Sequence, residues 1–136
     1  MKLYVTRLQE GQDLLAGIVG FAQAKALTSG VVLSAPGSLS QASIRTAFSR
    51  DEEPANRRYA GPLEIVSLIG TVSSDGNPHI HISFSDRNGQ VFGGHVSKGC
   101  IVDTTVELVL GNDSSLNFTR ELDPATGFNE LKVSDI

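Results

Sequence analysis

The sequence predicts an α+β domain: a mainly antiparallel β-sheet with one major helix packed on it. Two observations carry that expectation. Only one stretch, from Leu14 to about Leu27, repeats its apolar residues at helical spacing. The remaining apolar runs alternate or are short, and Gly-, Asn-, Asp- and Pro-containing turns separate them into seven or more strands.

In chain order, residues 2–8 form a first strand in which Leu3 and Val5 alternate with Tyr4 and Thr6. Glu10-Gly11-Gln12-Asp13 introduces the helix, and Asp13 complements the positive end of its dipole. Leu14, Leu15, Ile18, Val19, Phe21 and Ala22 supply its apolar stripe, and Thr28-Ser29-Gly30 ends it. Val31-Val32-Leu33 opens a strand that meets the Pro36-Gly37 interruption, and 43–48 alternates again. Residues 49–61 are expected to be one long polar loop, and Leu63–Val72 a strongly apolar strand. Ser74-Asp75-Gly76-Asn77 turns the chain into 78–95. Cys100–Leu110 and Leu116–Leu122 follow as strands, then the turn Asp123-Pro124-Ala125-Thr126-Gly127 and a last strand through Leu131 and Val133. No repeat or linker divides 1–136, so a single domain is expected.

All three histidines, His79, His81 and His95, fall within seventeen residues. Arg87-Asn88-Gly89 suits a three-residue hairpin loop with Gly at the left-handed position. That loop pairs residues whose numbers add to 176. His81 then stands opposite His95, and His79 shares their face because strand side chains alternate. Ile80, Val96, Phe84 and Phe92 occupy the other face. A two-residue loop would send His95 to the wrong side.

Three imidazoles so placed suit a divalent metal, zinc first among them, and leave a fourth position open. The alternative is a polar pocket or subunit seam in which the histidines partner each other, Ser83 or Ser85. Glu64, in an apolar strand, is open to three roles: a fourth ligand, a partner for a histidine, or a solvated edge residue. Glu107 and Asp103 face the same choice. Gly93-Gly94 permits close backbone approach beside His95. Cys100 reads as a small buried core residue. Ser83, Ser85 and Asp86 leave nucleophilic catalysis open, although no nucleophile elbow is present and no Gly-rich loop opens the helix. Arg57-Arg58 could steer an anion or be a solvated loop surface.

Eleven basic residues against fifteen acidic ones give a net charge of −4, which argues against sequence-independent DNA binding by this chain alone. The chain shows no apolar run of membrane-spanning length and no signal peptide, and its one cysteine cannot form an internal disulfide. A cytoplasmic setting is the expectation.

Several segments, in order along nearly the whole chain, resemble the plant and prokaryote conserved (PPC) domain. They are Gly11-Gln12-Asp13-Leu14, Gly37-Ser38-Leu39, Gly61 to Thr71, Pro78-His79-Ile80-His81, Gly93-Gly94-His95-Val96, Thr104 to Leu110 and Asp123 to Leu131. The resemblance implies a small α+β fold and a homotrimer. It also implies an association with DNA, because in plant nuclear proteins the domain follows an AT-hook. No Arg-Gly-Arg core of an AT-hook occurs here, and Gly61-Pro62-Leu63-Glu64-Ile65-Val66 replaces the plant Gly-Arg-Phe-Glu-Ile-Leu linked to partner binding. The histidines place the chain with the prokaryotic form. Three functions follow as expectations: a metal-binding homotrimer with a ligand-binding or regulatory role, a transcription-associated protein acting through partners or a basic patch, and a metal-dependent hydrolase or lyase. Glu64 and Glu107 are the acid/base candidates for the last.

Overall fold

The computed structural model describes residues 1–136. Nine strands and one helix follow in the order β1 (Lys2–Gln9), α1 (Leu14–Ala24), β2 (Ser29–Ser34), β3 (Gly37–Arg45), β4 (Asn56–Ser73), β5 (Pro78–Ser85), β6 (Val91–Val96), β7 (Ile101–Asn112), β8 (Leu116–Leu122) and β9 (Asn129–Asp135). Every strand pairing is antiparallel. The α+β expectation holds in outline, but β-structure dominates and the helix is minor.

Seven strands run in the order β1-β7-β2-β4-β3-β6-β5, and added pairings of β4 with β5 and of β3 with β7 close the sheet on itself. β8 and β9 form a separate hairpin. Its start is tied to the main sheet where the Phe118 N–H donates to the Thr28 carbonyl and the Ser74 N–H to the Phe118 carbonyl.

Asp13 caps α1, its Oδ1 accepting from the Ala16 N–H at 2.9 Å, while its other oxygen accepts from the Gly99 N–H at 2.7 Å. One carboxylate therefore starts the helix and pins the loop before β7. Leu14, Ile18 and Ala22 turn inward and join one core with Leu8, Leu39, Leu63, Phe84, Val106, Leu108 and Leu110. Full burial of Leu14 or Ile18 contributes about 1.5–3 kcal/mol each. No helix is long and apolar enough to cross a membrane.

Four boundaries differ from the sequence reading. β3 starts at Gly37, where an interruption is expected, and ends at Arg45 instead of continuing to Phe48, because it pairs from Gly37 onward with β7 and β4. The helix stops at Ala24, with Ala26 at φ 50°, and Leu27 joins the core from the loop. Ser29 and Gly30, expected to end the helix, instead open β2 because they pair with Ser73 and Val72. The loop expected over 49–61 ends early: Asn56 starts an 18-residue β4 that pairs first with β3, then with β5 and β2. Arg57 and Arg58 thus lie on a strand, opposite Ile44 and Ser43.

Candidate metal centre

The β5–β6 hairpin has the register that the loop demands. His81 pairs with His95 and Phe84 with Phe92. The Asp86 N–H donates to the Gln90 carbonyl at 3.0 Å, and Gly89 sits at φ 76°, the left-handed conformation the third loop position requires. Asp86 also accepts from the Asn88 and Gln90 N–H groups, so its carboxylate is spent on the turn. Ile80, Ile82, Phe84 and Val96 are buried on one face, and the three histidines share the other.

Those histidines converge. His79 Nε2 and His81 Nε2 are 3.2 Å apart, and one ring nitrogen from each of the three lies within 4.8 Å of the others. Ring centroids are 5.0 Å (79–81), 5.3 Å (79–95) and 5.5 Å (81–95) apart. A tetrahedral ion with bonds near 2.0–2.1 Å would hold its nitrogens about 3.3 Å apart. The His79–His81 pair is at that spacing, His95 lies within 4.8 Å of both, and His95 Nδ1 is buried without a hydrogen-bond partner. Donor type and number fit a divalent ion with one position left open, and the rings are close enough to close on one.

Electrostatics keep two of the three rings, His79 and His95, in the form a metal needs. Burial, then the Arg45 guanidinium, then the neighbouring imidazoles push His95 down to about 4. Burial also lowers His79, helped by His81, Arg120 and Arg45 and opposed by Glu130. Both rings are therefore neutral at pH 7, with lone pairs available.

Close packing holds His95 in place. A β-carbon on Gly94 would lie 2.6 Å from the Arg45 carbonyl oxygen, so only glycine lets β6 run this near β3. Arg45 pairs directly with His95.

A cavity of about 490 Å³ opens beside the cluster, lined in part by His79, His95, Arg45, Arg50, Arg120 and Glu130. Arg120 and Glu130 come from the β8–β9 hairpin. Sequence reasoning missed all four charged groups. Arg45 was visible only as a member of an alternating strand, and nothing local to residues 120 and 130 links them to residues 79–95.

The other candidates stand elsewhere. Glu64 is exposed on β4 opposite Ser85, and Glu107 is exposed on β7 opposite Arg7; neither joins the imidazole group within the chain. Asp103 is also on β7, outside that group. Ser83 Oγ bonds Ser67 Oγ at 2.7 Å, and no serine or Asp86 oxygen bonds a histidine. Cys100 is wholly buried, its thiol raised by burial and bonded to the Ser43 backbone, as a core residue should be. Arg57 and Arg58 do not line the cavity.

Fold and site together define a small closed β-sheet domain with a three-imidazole cluster at the edge of a basic cavity. The chain belongs to the Plants and Prokaryotes Conserved (PCC) domain family, whose profile matches residues 1–113. Among solved structures, a hypothetical protein from Salmonella enterica is 34% identical, with a TM-score of 0.91 over 98% of this chain and 94% of that one. A metal-containing protein from Archaeoglobus fulgidus is 30% identical, with a TM-score of 0.77 over 96% of this chain and 92% of that one. A Bacteroides thetaiotaomicron protein, provisionally described as DNA-binding, shares the fold at 20% identity, with a TM-score of 0.86 over 96% and 91% of the two chains. The whole chain is also 40% identical to part of the bifunctional protein GlmU of two Synechococcus strains, spanning 21% of the length of those relatives.

Proposed function

We propose that this is a metal-binding PCC-domain protein in which His79, His81 and His95 hold one divalent ion per chain, zinc first among them, and that it acts as a homotrimer with a ligand-binding or regulatory role. The observation that carries the reading is the convergence of three imidazoles, two of them 3.2 Å apart, on one face of a hairpin. The Archaeoglobus fulgidus relative, described as metal-containing, supports it. Bound metal would supply a Lewis acid with an open position facing solvent or ligand. The chain's part is to orient the three rings and to keep His79 and His95 unprotonated. The decisive measurement is metal content of the native protein beside His81→Ala. One equivalent per chain, lost in the variant, is expected; a metal-replete preparation with none would overturn the reading.

Exposed apolar side chains support the trimer: Leu3 and Val5 on β1, and Val66 and Ile69 on β4. Sedimentation equilibrium should return three times the 14.4 kDa chain mass, and a clean monomer at micromolar concentration would refute it. A lone, buried thiol at Cys100 is compatible with a reducing cytoplasm.

Glu130 favours a second reading, a metal-dependent hydrolase or lyase, because it puts a carboxylate in the same cavity as His79. Turnover of small esters, amides or phosphoesters that disappears with chelator would support it. Absence of turnover across all three classes in metal-loaded protein would count against it.

A further inference from the structure

The cavity beside the imidazoles carries a charge opposite to that of the chain. Its lining includes Arg45, Arg50 and Arg120 and a single carboxylate, Glu130, whereas the whole protein is net negative at −4. The only ion pair in the chain joins Lys132 to Glu121, so none of the three guanidinium groups has a carboxylate partner within 4.0 Å. Two of them are nevertheless oriented. Arg45 stands across the ladder from His95 with its guanidinium over the Phe48 ring, 5.3 Å from the centroid. Arg120 Nη2 donates to Thr71 Oγ1 at 2.8 Å, leaving its other N–H groups free. Arg50 is exposed at the rim, where it donates to the Ala125 carbonyl at 3.3 Å. Partly buried arginines are ordinarily paired, and unpaired ones converging beside an open metal position form a receptor for an anion. The volume, about 490 Å³, is that of a small-molecule pocket. Phe48 and Phe128 add apolar wall for a carbon skeleton.

We infer that the cavity binds a small organic anion, a carboxylate or phosphomonoester, through Arg45 and Arg120, with the anionic group directed at the open position of the metal. This inference rests on the metal reading for that last contact and stands on the arginines for the rest. Two guanidinium forks match the planar carboxylate and the phosphate oxygens alike.

The test is calorimetric titration of the zinc-loaded protein with succinate and, separately, with inorganic phosphate, repeated on Arg45→Gln and Arg120→Gln. Zinc content and circular dichroism are recorded for each protein. At least one anion should bind the parent, and the better binder identifies the ligand class. Each variant should keep its zinc and weaken binding by about tenfold or more, the effect of losing a charge-assisted hydrogen bond. If a glutamine variant fails to fold, Arg45→Lys or Arg120→Lys replaces it, and the loss should persist because lysine keeps the charge but not the fork. Binding of neither anion by zinc-loaded parent protein, or unchanged affinity in both variants, overturns the inference while leaving the metal site standing. Anion binding that survives in a protein unable to take up zinc would instead overturn the metal reading and leave the arginine pocket standing.

Discussion

Replacing Gly94 with alanine tests whether the spacing of β3 and β6 sets the geometry of the imidazole cluster. The new β-carbon would lie 2.6 Å from the Arg45 carbonyl oxygen and 3.3 Å from Ile44 Cδ1. A carbon and a carbonyl oxygen tolerate about 3.2 Å, so β6 must withdraw from β3 by roughly 0.6 Å; metal sites tolerate only about 0.2 Å in ligand distance. Strain of this kind costs about 1–3 kcal/mol. Unfolding entropy near 2.1 cal/mol/K per residue converts that over 136 residues to a melting temperature lower by about 3–10 °C. Because His95 moves with β6, zinc affinity should also fall by about tenfold or more, as it does when the surroundings of a ligand are disturbed. Thermal melting and competition with a chromophoric chelator read the two effects separately. Gly20→Ala is the control: it lies inside α1 with nothing within 4 Å of the added carbon, and should stabilise by about 0.5–1 kcal/mol. A Gly94→Ala protein with parental melting and parental zinc affinity would refute the argument from strand spacing.

Asp13→Ala should cost about 1–2 kcal/mol in urea unfolding, because it removes the helix cap and leaves the Gly99 N–H without its acceptor; a loss below a few tenths would show that water replaces both bonds. Chelator-treated protein should lose stability as pH falls from 6.5 towards 4. His95 is held at about 4 when folded and near 6.5 when unfolded, so the unfolded chain binds the extra proton in that window. Melting temperatures flat across that window would contradict the burial of His95 beside Arg45. In a gel shift at physiological salt, the chain alone should bind duplex DNA no tighter than micromolar, given its charge of −4. Sub-micromolar affinity with a steep salt dependence would establish nucleic-acid binding.

The hairpin was legible because its information is local. Arg87-Asn88-Gly89 sets the loop length, and the loop length sets which side chain faces which. The cavity was not legible, because its walls meet through long-range pairings. Arg45 reaches His95 only when β3 pairs with β6, fifty residues away, and Arg120 and Glu130 arrive on a hairpin from the end of the chain. β4 was cut short for a different reason. Pro62 and the polar run before it read as loop, yet the strand carries its proline through an irregular register between the pairings Leu39–Leu63 and Gln41–Ala60. The helix end was misplaced because Leu27 continues the apolar stripe although the backbone has already left the helix.

The β8–β9 hairpin lies beyond residue 113, where the match to the family ends, whereas all three histidines lie before it. Scaffold and imidazoles thus belong to one stretch of chain, and half of the arginine and carboxylate wall belongs to another. Substitutions confined to the hairpin would therefore change what meets the imidazoles while leaving the strands that hold them in place.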